Sequence, residues 1–218
     1  MRGRRFLGLL RSAWQIVSKH RTAYVAINCG YYGLVLVAML YVALVNPALQ
    51  EQLLSDVQSA LTEGPLATVG GLYLGGNVVA AALLTFLVNL LVGAILTITV
   101  PSLIVPFAGI ALGVYRAVLW GLLLAPTTRE LALVMIPHSL TLILEGQGYI
   151  LALLASYVHG MAFLRPQSVG VVGHRQGYLN GAKLTGRLYV LVVIVLAVAA
   201  VYEAVEVIAM VWLGSAGA

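Results

Sequence analysis

Five apolar runs, each long enough to cross a bilayer, leave this chain little choice of fold. They cover about 24–45, 77–100, 103–124, 131–164 and 188–213. A helix needs about 20 apolar residues to span the hydrocarbon of a membrane. Charged residues make up only 9% of the 218, against about 25% in soluble domains. A water-soluble core has no means of absorbing so much apolar surface. The expected fold is an all-α membrane protein: a single transmembrane helical domain over 23–218, preceded by a basic amphipathic segment over 1–22.

In that first segment Phe6, Leu9, Leu10, Ala13, Trp14 and Val17 recur at helical spacing, while Arg4, Arg5, Arg11, Lys19 and His20 stay polar. Such a helix lies in the membrane interface with its arginines on anionic headgroups. The segment lacks a short apolar core followed by a small-residue cleavage site, so the first apolar run is expected to serve as the insertion signal.

The charges orient the spans. With the N-terminus in the cytoplasm, ten of the twelve basic residues fall in inside segments, at Arg2 to Arg21 and at Arg165, Arg175, Lys183 and Arg187. None of the seven acidic residues does. By the positive-inside rule the chain is expected in a cytoplasmic membrane, N-terminus inside and C-terminus outside. The net charge of +5 therefore reports orientation, and nucleic acid is not an expected partner. Cys29 is the single cysteine, which excludes an intramolecular disulfide and a Cys-rich metal site.

Between the first two runs Asn46-Pro47 ends a span, 48–61 has the period of a short surface helix, and the glycine pairs up to Gly76 suggest a flexible or re-entrant approach. The fourth run has 34 residues, too many for one straight span, so a break is expected near Pro137. Thr128 is placed to cap its start.

Polar residues inside these runs are costly and mark where function can sit. They are Asn89, Arg116, Pro137-His138-Ser139, Glu145, Gln147, Tyr149, Glu203 and Glu206. Depth along the spans lets Arg116, His138, Glu145, Glu203 and Glu206 converge in one cluster toward the outer side. Two readings fit each of them. Arg116 either pairs with a glutamate to hold helices together or serves a site. His138 either satisfies carbonyls freed at the proline or handles a proton or substrate. Asn89 suits an interhelical hydrogen bond, and His159 an interfacial position. Gly93, with Gly109 and Gly113 as a Gly-x-x-x-Gly pair, allows close helix approach in either a compact bundle or a homo-oligomer.

No HExxH, phosphate loop or Gly-x-Ser-x-Gly is present, and the histidines share no ligand-spaced face. Neither catalysis, nor a metal, nor a cofactor is expected.

Residues from Phe86 to Leu164 carry a resemblance. Asn89 after Phe86, Gly93, Pro101, the Pro106–Gly113 stretch, Pro137-His138-Ser139, Glu145, Gly148-Tyr149 and Ala152 follow in the order seen in the stage II sporulation protein M family. The chain resembles that family over about a third of its length. The family often has glycine after the histidine and a glutamate soon after; here Ser139 and Glu145 occupy that region. The resemblance implies a non-enzymatic membrane scaffold that recruits other membrane or envelope proteins. In spore formers such a protein anchors a peptidoglycan-degrading complex, and relatives occur where no spores are made. The alternative from the residues themselves is a transporter or permease subunit, with Asn89, Arg116, His138 and Glu145 lining its path.

Overall fold

A computed structural model describes residues 2–63 and 67–216; the side chains of residues 2–5, 69 and 214–216 also lie outside the described set. Among the described residues every regular element is helical. In chain order they are α1 (Arg2–Lys19), α2 (Arg21–Leu44), α3 (Pro47–Thr62), α4 (Ala67–Leu74), α5 (Val78–Ile104), α6 (Ala108–Leu123), α7 (Arg129–Leu164) and α8 (His174–Ala216). Four of them, α2, α5, α7 and α8, are long and apolar enough to cross a membrane.

Short polar side chains set several helix starts. Asn46 accepts from the Leu49 N–H and precedes Pro47 at the first helical turn of α3. Asn77 accepts from Ala80 N–H at the start of α5, and Thr128 from Leu131 N–H at the start of α7. Each satisfies a donor that the first turn leaves without a partner.

Three expected boundaries are corrected. The third run does not begin at Leu103. Leu103 and Ile104 finish α5, and Phe107, at φ 69°, turns the chain through the left-handed region behind Pro106. The helix that follows, α6, has only 16 residues. The fourth run does not break at Pro137: α7 is helical for all 36 residues. Hydroxyls gather on the carbonyls around the proline, Tyr202 donating to Pro137 O at 3.1 Å and Ser139 to Ile136 O at 2.9 Å. Proline removes only the bond that its own N–H would donate to Leu133 O, and the extensive packing of α7 along α8 holds the helix through it. Last, α8 starts at His174, so Lys183 and Arg187 stand on a helix and not in a loop. Gly177 and Gly181 sit directly against Ala162 and His159 of α7, a closeness that a side chain there would prevent. Packing against α7 thus outweighs the low helix propensity of glycine.

The antiparallel pair α7–α8, joined by a 3₁₀ turn at Pro166–Val169, is the most extensive helix contact and forms the centre. Tyr149, Ile150, Leu154, Leu188 and Leu196 make its buried seam. Around it stand α2, α5 and α6, and α1 buries Ala13, Ile16 and Val17 as it packs on α8. The glycine pair of α6 is used inside the chain. Gly109 meets the backbone of Ile98, and Gly113 meets Leu153.

The glycine-rich connection forms an ordered helix, α4, which returns along α3 and packs on α5 and α8. Gly64 and Pro65 lie outside the described residues. Gln50 of α3, 1% exposed, ties this cover to the bundle. Its amide donates to Leu123 O at 2.9 Å and to Ala125 O at 2.7 Å, and its carbonyl accepts from Thr127 at 2.5 Å. Leu123 O at the end of α6 and Ala125 O just beyond it both accept from this side chain, Ala125 O also from the Thr127 N–H at 2.9 Å. Gln50→Leu is expected to cost about 1–3 kcal/mol, chiefly through the unsatisfied Leu123 O, read as a lower midpoint of thermal unfolding in detergent.

Candidate functional site

The π-wound middle of α5, Val88–Thr99, carries Asn89 and Gly93 inward, both buried. A Cβ at Gly93 would lie 2.9 Å from the Tyr149 hydroxyl, so glycine at this position admits the tyrosine. Tyr149 is fully buried and donates to Asn89 Oδ1 at 2.8 Å. Asn89 in turn donates through Nδ2 to Glu145 Oε1. On the far side Arg116 Nη2 donates to the Tyr149 hydroxyl at 2.6 Å, and its guanidinium stacks 3.8 Å from the Tyr149 ring and 5.2 Å from that of Trp120. Every donor in this series points the same way, from Arg116 through Tyr149 and Asn89 to Glu145. The arginine therefore compensates a buried carboxylate through two neutral side chains. The expected direct pairing of Arg116 with a glutamate is not found among the described residues.

Glu145, 3% exposed, lies about 24 Å along α7 from Arg129. It borders a cavity of about 640 Å³ to which all helices from α3 to α8 contribute. His138, Thr141, Asn89 and Glu203 line it too, with Tyr73 of α4 and Thr85 of α5. Glu145 and Glu203 meet directly. Glu203 Oε2 is buried and receives no hydrogen bond among the described residues. The rest of the lining is largely hydrocarbon, from Leu61, Leu74, Leu123, Leu124, Val207 and Val211.

A second polar group adjoins the first. His138 Nδ1 lies 3.2 Å from both carboxylate oxygens of Glu206, and the Thr141 hydroxyl donates to Glu206 Oε2 at 2.7 Å. His138 borders the main cavity and also a neighbouring one of about 470 Å³, which Glu206 lines as well. The histidine ring thus goes to a carboxylate, while Tyr202 and Ser139 serve the carbonyls near the proline.

No protein-family model, curated protein or solved structure matches this chain.

Of the side chains singled out in the sequence, Asn89, His138, Glu145 and Glu203 line the main cavity. Arg116, Tyr149 and Glu206 stand directly behind them. Two are elsewhere. Ser139 is exposed and bound to its own helix. Gln147 faces α2, accepting from Tyr24 at 2.6 Å and donating to Asn28 at 2.7 Å and Tyr32 at 3.2 Å. It joins two helices, the two positions from Glu145 turning it to the opposite side of α7. His159, expected at an interfacial position, packs inside the bundle. It is 1% exposed, with its ring 4.6 Å from that of Tyr178.

Among the polar and aromatic lining residues, sequence reading misses Gln58, Thr62, Tyr73, Thr85, Thr141 and Trp120. Thr141 was within reach. It stands one helical turn before Glu145 and so shares its face.

Proposed function

We propose that this protein is a multi-pass membrane protein that takes a small solute into an intramembrane cavity and passes it across the bilayer, as a transporter or permease subunit. One observation carries this reading: His138, Glu145 and Glu203, from two different helices, border a single cavity amid apolar walls. Ionisable groups at such depth belong to solute and proton paths far more often than to inert packing. Its volume of about 640 Å³ lies in the range of small-molecule sites.

In this reading α2, α5, α6, α7 and α8 are the five membrane helices, the N-terminus is cytoplasmic and the C-terminus outside. The exposed Arg165, Arg175, Lys183 and Arg187 then lie at the cytoplasmic ends of α7 and α8. Helix α1, with Phe6, Leu7 and Trp14 exposed beside Arg11, rests in the cytoplasmic interface.

Thiol labelling tests it. In a Cys29→Ala background, Thr85→Cys puts a probe in the cavity wall and Leu133→Cys a control on an exposed apolar face. A membrane-impermeant methanethiosulfonate reagent is expected to modify Thr85→Cys from either side of the membrane and to leave Leu133→Cys unmodified. Reaction from one side only, or at neither position, would remove the transport reading.

A second reading is the scaffold implied by the resemblance to the stage II sporulation protein M family. It is supported by the exposed Glu51 and Asp56 of α3 and Glu63 at its end, three acidic side chains available to envelope proteins on the outer side. Affinity purification from the native membrane in mild detergent, followed by charge reversal at these three positions, separates the two. Only a scaffold loses its co-purifying proteins on charge reversal.

A further inference from the structure

The charges around the cavity do not balance, and the imbalance identifies the occupant. Glu145 and Glu203 face each other, two acceptor groups with no donor on Glu203 Oε2. Arg116 is committed to Glu145 through Tyr149 and Asn89. His138 is engaged by Glu206. The other groups near the pair, Tyr73 from α4 and Tyr31 from α2 beyond Arg116, are neutral phenols. One arginine thus serves two carboxylates, and a single positive charge is missing beside Glu203.

We infer that the Glu145–Glu203 pair is a site for one monovalent cation, held either by a proton or by a lipophilic organic cation whose apolar body fills the rest of the cavity, the two displacing each other. This rests on the transport reading of the cavity and specifies its solute. The walls decide the class. A hard divalent ion takes six to eight oxygen ligands, and among the described residues no cluster of three or more His, Cys, Asp or Glu is placed to hold a metal. An anion meets two carboxylates. A sugar leaves its hydroxyls against Leu61, Leu74, Val207 and Val211. A cation with a hydrocarbon or aryl body satisfies both parts.

The exchange is balanced. The protonated carboxyl pair takes up the organic cation and releases one proton, with no bond broken other than that O–H. Transport of the cation in one direction then moves a proton in the other.

Two probes of nearly equal size and opposite charge, tetraphenylphosphonium and tetraphenylborate, test this on the full-length protein in nanodiscs, with empty nanodiscs subtracted. Tetraphenylphosphonium is expected to bind, releasing about one proton per bound cation as read by calorimetry in buffers of different ionisation enthalpy. Its apparent affinity is expected to rise about tenfold per pH unit over the range where the proton is displaced. Glu203→Gln is expected to weaken it at least tenfold and to abolish the pH dependence, while Ser139→Ala, exposed on the other side of α7, leaves it unchanged.

Equal binding of the two probes by the wild-type protein would overturn the inference without recourse to any variant. So would binding without proton release, or binding of neither probe. Those results leave the thiol-labelling pattern standing, so the solute class can fail while the cavity keeps its proposed role.

Discussion

Arg116→Met is expected to destabilise the folded chain by about 3–5 kcal/mol, the cost of leaving a buried charge without its partner. The arginine reaches Glu145 only through Tyr149 and Asn89, so the loss is felt two side chains away. The effect should shrink when Glu145 is neutralised. In a double-mutant cycle with Glu145→Gln, the two changes are expected to couple by about 1–3 kcal/mol, although the residues make no direct ion pair. Reversible unfolding in mixed micelles gives the four midpoints. Additive losses would show that Arg116 acts by packing on Tyr149 and Trp120 alone.

The second large effect separates two glycines of one motif. A Cβ at Gly109 would run into the carbonyl of Ile98 and the Ser102 hydroxyl, which accepts from Gly109 N–H at 2.8 Å. Backbone has no room to yield. At Gly113 the obstacle is the end of the Leu153 side chain, 2.5 Å away, which can change rotamer. Gly109→Ala is therefore expected to cost about 3 kcal/mol, at the upper end for overpacking, and Gly113→Ala about 1 kcal/mol. Comparable losses at both would mean that the crossing of α5 and α6 is looser than these contacts imply.

Much of this arrangement can be read from the residues. Long apolar runs, the helix cap at Thr128, and the inward placement of Asn89, Glu145 and Glu203 follow from period, capping chemistry and the cost of charge in hydrocarbon. The misses have separate physical causes. Proline at 137 reads as a break because the local sequence does not reveal that α8 will pack along α7 and hold it helical. The glycines at 177 and 181 read as loop because their value lies in the approach of another helix. Gln147 has the same polarity as its neighbours on α7, and only the position of α2 turns it into a tie between helices. Tyr73 sits in a short glycine-rich stretch with no period to place it, so its presence at the cavity wall was not legible. Arg116 announces that a countercharge is needed; it does not announce that a tyrosine and an asparagine will relay it.

In the five-span reading proposed above, the shortness of α6 has a consequence for the surrounding lipid. Its 16 residues extend about 24 Å, less than the roughly 30 Å of bilayer hydrocarbon, and Val114 and Tyr115 on it are exposed. Its neighbours are long enough to reach both headgroup layers. Acyl chains beside α6 must therefore shorten or tilt while those beside α5 and α8 need not, leaving a dimple on one flank of the protein. Bilayers of short-chain lipid relieve that local deformation, and thicker ones, rich in long saturated chains, work against it.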